Sequence, residues 1–226
     1  MELNADFSKR AVVHAARVSW VPSPIAGVER RMLDRIGEEV SRATSIVRYA
    51  SNSRFSAHTH GGGEEFIVLD GVFSDEHGDF PAGSYIRNPP GSRHTPGSEK
   101  GCIIFVKLWQ FDPEDRKHVR IDATKRPFLP TRDRPGVEVL LLHEDARENV
   151  RLERWSADTQ IFLRATGGAE ILVLEGGFSD GDETFEPQSW LRLPVDAMLT
   201  ARPGANGCKV WVKTGHLARP QTAPRL

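Results

Sequence analysis

Residues 66–75 read Phe66-Ile67-Val68-Leu69-Asp70-Gly71-Val72-Phe73-Ser74-Asp75, and residues 171–180 read Ile171-Leu172-Val173-Leu174-Glu175-Gly176-Gly177-Phe178-Ser179-Asp180. The offset of 105 continues from Tyr85-Ile86-Arg87-Asn88-Pro89 to Trp190-Leu191-Arg192-Leu193-Pro194. One inserted residue later, Gly101-Cys102, Val106 and Lys107 match Gly207-Cys208, Val212 and Lys213. Upstream, Gly27-Val28-Glu29 pairs with Gly136-Val137-Glu138. So many identities in one order mean two copies of one domain, roughly 15–110 and 125–217. The expected domains are 1–110 and 111–226, with the charged, Pro-bearing stretch at about 111–135 as the connection. A strand is expected within it around Val119–Asp122.

Each copy reads as all-β. Short stretches rich in Val, Ile, Leu and Phe, such as Ser45–Tyr49, Phe66–Leu69 and Ile103–Leu108, are broken by Gly, Pro, Asp and Asn every ten or so residues. That cadence belongs to sandwiches and barrels, not to strand–helix alternation. One helix is expected over Val28–Val40, where Met32, Leu33 and Ile36 fall at helical spacing. The tail after Leu217 is expected to be an extended end.

The chain has 226 residues, with 30 Lys+Arg against 31 Asp+Glu and a formal charge of −1. No basic surplus exists to displace counterions, so direct nucleic-acid binding is not expected. No apolar run reaches the roughly 18 residues that span a bilayer. Met1–Arg10 lacks the layout of a signal peptide, and two cysteines cannot make a disulfide framework, so the expected location is cytoplasmic. Cys102 and Cys208, at matched positions, are expected to be buried thiols. The five tryptophans are expected in core or inter-barrel packing, and His14, His77, His118, His143 and His216 at the surface.

The first copy carries Phe55-Ser56-Ala57-His58-Thr59-His60-Gly61-Gly62-Gly63-Glu64-Glu65. Residues two apart in a strand face one side, so His58 and His60 present two imidazoles to one point. The glycines let the chain bend, and the next strand opens on a carboxylate. Thirty residues on, Arg93-His94-Thr95 follows a Pro-Pro-Gly turn and supplies a third imidazole. His-x-His alone is a weak signal; the set of His58, His60, Glu64 and His94 is a strong one. Three imidazoles and one carboxylate suit one divalent ion (zinc, iron, manganese or nickel), with positions left for water or substrate. Strand alternation sends Glu65 to the opposite face, with solvent or a salt bridge as its expected role. In the second copy Ala169 stands where Glu64 does, and Arg164, Ala165 and Leu199 lie near where histidines would fall, with two residues lost ahead of Glu170. No metal site can be built there. Tyr85, Arg87 and Lys107 could lean toward the metal, but Arg192 and Lys213 repeat two of them in the metal-less copy, which favours a structural role.

His58, His60, Glu64 and Gly71, followed by His94, resemble the two motifs of the cupin superfamily. More narrowly, the run from His60 to Glu76, together with Gly83–Pro89, His94–Ser98 and Gly101–Lys107, resembles the ChrR-like cupin family. The resemblance covers most of both halves and implies a bicupin, two tandem jelly-roll barrels. It implies two classes of function. One is a metal-dependent dioxygenase acting on diketones or hydroxyketones, with Glu64 as ligand or base and Phe55, Phe66, Val68 and Ile104 as pocket wall. The other is a zinc-binding, non-catalytic regulator or oxidant sensor related to anti-sigma factors. Those regulators carry an N-terminal helical domain with its own His/Cys zinc site, and no cysteine precedes Cys102 here. A sigma-factor partner is therefore in doubt, and the enzyme is the favoured expectation. A homodimer is expected by resemblance.

Overall fold

The computed structural model describes residues 1–38, 40–181 and 183–220. It resolves into two compact β units, Met1–Ala5 with Ser19–Lys125, and Asp6–Val18 with Arg126–Pro220. Every strand pairing is antiparallel, and the two sheets share one order. In the first, Glu2–Leu3 is followed across the sheet by Val28–Gly37, Ser41–Tyr49, Cys102–Leu108, Glu64–Asp75, Ser84–Asn88 and Val119–Asp122. In the second the order is Leu129–Pro130, Val137–Glu144, Asn149–Trp155, Met198–Thr214, Ala169–Asp180, Ser189–Leu193 and Ala11–His14. This is the all-β double barrel that the repeat predicts.

The leading strands of the two repeats are exchanged. Ala11–His14 pairs with Ser189–Leu193, from Ala11 opposite Arg192 to His14 opposite Ser189. Val119–Asp122 pairs with Ser84–Asn88, from Ser84 opposite Asp122 to Arg87 opposite Val119. Each is followed by a short 3-10 turn, Ala15–Arg17 and Ala123–Lys125. The strand expected around Val119–Asp122 is present, and the stretch containing it finishes the first sheet.

The expected helix over Val28–Val40 is absent: Val28–Gly37 is a strand. Its pairing with Ser41–Tyr49 slips between Met32 and Asp34, and Leu33, Asp34 and Arg35 are then buried in succession. A bulge breaks the period of two, and the resulting apolar spacing imitates a helix. The tail expected to be extended after Leu217 is described only to Pro220.

Alternation along each strand sorts its side chains. In the first unit Phe66, Val68, Ile86, Ile104 and Val106 face inward with Phe73 and Cys102. In the second, Ile171, Val173, Leu191, Val210 and Val212 do the same with Trp155 and Phe178. Both cysteines are free and buried, and burial pushes the Cys102 thiol to about 11 and that of Cys208 to about 12. Trp155, Trp190 and Trp211 are core residues as expected. Trp20 is not: the guanidinium groups of Arg31 and Arg48 lie over its ring, at 4.2 and 4.5 Å. His143 and His216 are also buried, against the surface expectation, because each has a carboxylate partner: His143 Nε2 lies 3.1 Å from Asp145 and His216 Nε2 2.9 Å from Glu170.

Candidate metal centre

The three histidines of the first copy come together. His58–Thr59 pairs with Arg93–His94, placing His94 directly opposite His58. The His60 amide donates to the Ser92 carbonyl at 2.9 Å, and the Gly91 amide donates to the His60 carbonyl at 2.9 Å, which fixes His60 against the same turn. Ring centroids stand 4.8 Å apart for His58 and His60, 5.0 Å for His58 and His94, and 4.7 Å for His60 and His94. One ring nitrogen from each lies within 4.8 Å of the others.

Glu64 closes the set. Its Oε2 sits 3.4 Å from His60 Nε2 and 3.6 Å from His94 Nε2. Asn88, opposite Glu64 in the strand register, donates to the same oxygen at 3.3 Å. The glycine run does more than bend the chain. A β-carbon on Gly62 would fall 2.2 Å from the Trp109 ring, and one on Gly63, where φ is +78°, 2.4 Å from Phe111. Two aromatic rings packed on bare backbone hold the turn between His60 and Glu64.

Burial and hydrogen bonding set the histidines' protonation. His60, Glu64 and His94 are 7%, 7% and 2% exposed, while His58 is open to solvent. His94 Nδ1 donates to Asp75 Oδ2 at 3.2 Å, and His58 Nδ1 donates to the Ser56 carbonyl at 3.2 Å. Both bonds leave Nε2 as the unprotonated nitrogen of a neutral ring. The Nε2 atoms of His60 and His94 are buried with no hydrogen-bond partner. Burial pulls the His60 pKa down and overrides the Glu64 carboxylate. Burial works against charged His94 too, but Asp75 and Glu64 outweigh it and hold that pKa above the usual value. Buried nitrogens without donors, facing a carboxylate, cost stability unless a Lewis acid meets them. The Glu64 oxygen, at 3.4 and 3.6 Å from two of the ring nitrogens, lies within the roughly 4.2 Å that two ligand atoms can be apart at metal–ligand bonds of about 2.1 Å, so this donor set fits a divalent cation.

Asp75 and Asn88 were not expected from the sequence. Comparing the two copies residue by residue would have found Asn88, since Leu193 replaces it where the histidines are lost. It hides Asp75, which recurs as Asp180. Of the two roles expected for Glu65, solvent or a salt bridge, burial excludes the first. Glu65 lies on the opposite face but is buried, flanked in register by Arg87 and Lys107, and accepts a hydrogen bond from the Tyr85 hydroxyl at 2.6 Å. Glu170 repeats this with Arg192, Lys213 and a 3.0 Å bond from Trp190 Nε1. Arg87 also reaches Asp115 at 2.6 Å and lies over the Phe111 ring. These recurring charges belong to the sheet's outer face.

In the second unit the register removes the expected two-residue loss. Leu199 stands opposite Leu163 as His94 does opposite His58, and Leu193 opposite Ala169 as Asn88 does opposite Glu64. Leu163, not Arg164, therefore occupies the His58 position; Arg164 is exposed and pairs with Asp196 at 3.4 Å. Leu163, Ala165, Ala169, Leu193 and Leu199 are all buried in one apolar cluster. The place of the polar centre is filled with core.

Two antiparallel barrels in tandem, one with a convergent His/Glu centre, define a bicupin. A family model for the ChrR cupin-like domain matches residues 8–112 and again 116–218. The chain belongs to the ChrR-like cupin family. Among solved structures it is similar to a dioxygenase candidate from Nostoc punctiforme, with a TM-score of 0.77, 16% identity, and coverage of 96% of this chain and 88% of that one. It is also similar to YlbA from E. coli, at TM-score 0.69, 14% identity and 93% of each chain. A mutant of Bacillus subtilis oxalate decarboxylase matches at TM-score 0.64 and 9% identity, over 91% of this chain and 77% of that one. At such identities the likeness is one of fold. None of the curated proteins matches the sequence. No helix among the described residues is long and apolar enough to cross a membrane.

Proposed function

We propose that the first barrel holds one divalent metal ion through His58, His60, Glu64 and His94 and works as a metal-dependent enzyme on a small organic molecule, in the manner of a dioxygenase. The observation that carries this reading is the pair of buried, partnerless Nε2 atoms of His60 and His94 beside the Glu64 carboxylate. When bound, the ion would supply Lewis acidity or electrons and orient a chelating oxygen substrate. The protein supplies the rest. Asp75 orients the His94 ring by accepting its Nδ1 proton, which turns Nε2 toward the centre, and Asn88 holds Glu64 in place. The exposed edge at His58 leaves an approach from solvent, while Phe66, Val68 and Ile104 pack as the apolar core of the same barrel. Glu64 remains a ligand or accepts a proton from substrate.

Two names support the reading: the dioxygenase candidate among similar structures, and the Mn(II) centres named for Bacillus subtilis oxalate decarboxylase. The family's own name supports a second reading, a zinc-binding regulator without turnover. Elemental analysis of the purified protein, paired with oxygen uptake on diketones and hydroxyketones, separates them. Iron or manganese, with uptake abolished by His94→Ala, is the enzyme's result; tight zinc with no uptake is the regulator's.

A further inference from the structure

The two units differ at one end of their sheets. In the first, Ser53–Arg54 adds to Gly97–Ser98, with Gly97 opposite Arg54 and Ser98 opposite Ser53. The Asn52 amide donates to the Glu99 carbonyl at 2.9 Å, and the Ser98 hydroxyl donates to the Val72 carbonyl at 2.6 Å. The chain's own backbone closes that end.

In the second unit the matching ladder stops at Ile161 opposite Ala201. Chain length accounts for the difference. Leu163 follows Trp155 by eight positions where His58 follows Tyr49 by nine, and Gly207 follows Leu199 by eight where Gly101 follows His94 by seven. One segment is a residue short and the facing one a residue long, so Gly204–Gly207 leave the register between Pro203 and Cys208. Arg202 stands opposite Ser179 as Gly97 does opposite Ser74, which puts Pro203 at the place of Ser98. Proline has no hydroxyl to offer Gly177, the counterpart of Val72.

A cleft of about 570 Å³ opens here, lined by Asp158, Gly177 and Arg202–Gly207 among others. Its size falls among small-ligand pockets, roughly 300–1,000 Å³. The Asp158 and Arg202 side chains are exposed, and neither makes a hydrogen bond or ion pair to any described residue. The cleft thus offers an unpaired carboxylate, an unpaired guanidinium and strand backbone outside the ladder.

We propose that this cleft is a second binding site, for a short zwitterionic peptide. The peptide's extended backbone takes the place that Ser53–Arg54 fills in the first unit and bonds to the Gly177 carbonyl and the Gly204–Gly207 backbone, as an added strand does. Arg202 receives its terminal carboxylate and Asp158 its terminal ammonium. The site stands apart from the His/Glu centre and does not depend on a metal there.

The test titrates full-length, nitrogen-15-labelled protein with triglycine, and separately with its acetylated, amidated form, whose ends are uncharged. The amide resonances of Gly177 and Gly204–Gly207 should shift with triglycine, with or without added Mn(II). Capping the peptide, or Arg202→Gln, should each raise Kd about tenfold through loss of a charged hydrogen bond. A β-carbon on Gly204 meets nothing nearer than the Gly177 carbonyl oxygen at 3.9 Å, so Gly204→Leu should fold and abolish binding by occupying the cleft. Absence of shifts at these residues, or binding that survives Gly204→Leu, overturns the site. Equal affinities for free and capped peptide, or for wild type and Arg202→Gln, overturn the recognition of a zwitterion; these two comparisons decide the matter even if Gly204→Leu fails to fold.

Discussion

Asp75 Oδ2 accepts the Nδ1 proton of His94 at 3.2 Å, and the Asp75 side chain is 1% exposed. The carboxylate is well placed because the His77 amide also donates to it, at 2.7 Å. Burial alone would raise the Asp75 pKa; the bonds from His94 and His77 bring it below the usual value. Asp75→Asn should keep the fold and weaken metal retention about 10- to 100-fold. Competition with a chelator measures it, and unchanged retention would show that His94 needs no orienting partner.

The two barrels predict opposite outcomes for matched substitutions. His58→Ala should empty the first centre with little change in melting temperature measured without metal. Leu163→Ala, at the position equivalent to His58, should leave metal content intact and cost about 2–5 kcal/mol of stability through a cavity in the second core. Metal loss from both variants would refute the single-site assignment.

Glu153 is a densely paired carboxylate of the second unit. Arg134 grips it at 2.7 and 2.8 Å, Arg151 donates at 2.7 Å and Trp155 at 2.6 Å. Burial would raise its pKa, but the Arg134 bond and the two guanidinium charges carry it below the ordinary value of 4.5. A depressed folded pKa means this stabilisation is complete above the unfolded value and fades as pH falls through the folded one. Glu153→Gln should cost on the order of 3 kcal/mol at pH 7. Urea midpoints of wild type and variant should converge below pH 4.5. A gap that stays constant through that range would contradict the pairing.

Gly71 and its repeat Gly176 have φ of +71° and +67°, and a β-carbon there would lie 2.1 Å from the Gly101 carbonyl oxygen and 2.2 Å from that of Gly207. Alanine at either position should cost about 2 kcal/mol or more, read by chemical denaturation. A loss below about 0.5 kcal/mol would mean the backbone relaxes freely.

Much of this was legible in the sequence because it is carried by local pattern. The repeat, the strand cadence and the convergence of His58, His60 and His94 follow from spacing alone. What stayed hidden depends on pairing between distant segments. The bulge after Met32 turned a strand into an apparent helix, since one extra residue shifts which side chains are buried. His143 and His216 looked like surface residues, and Glu65 like a solvent or salt-bridge residue, because burial of a charge is decided by its partner, and those partners lie in other strands or turns. Asp75 reaches His94 from across a hairpin, and Leu163 rather than Arg164 matches His58 only once the register is known. The exchange of Ala11–His14 and Val119–Asp122 leaves no mark on composition.

Anomalous X-ray scattering from crystals of the purified protein, with counts of metal per chain, tests the central claim most directly. The account predicts one divalent ion per chain, bonded to His58, His60, Glu64 and His94, and none in the second barrel. An ion bound elsewhere, two ions per chain, or a divalent-saturated protein with no ion between these four side chains would contradict it.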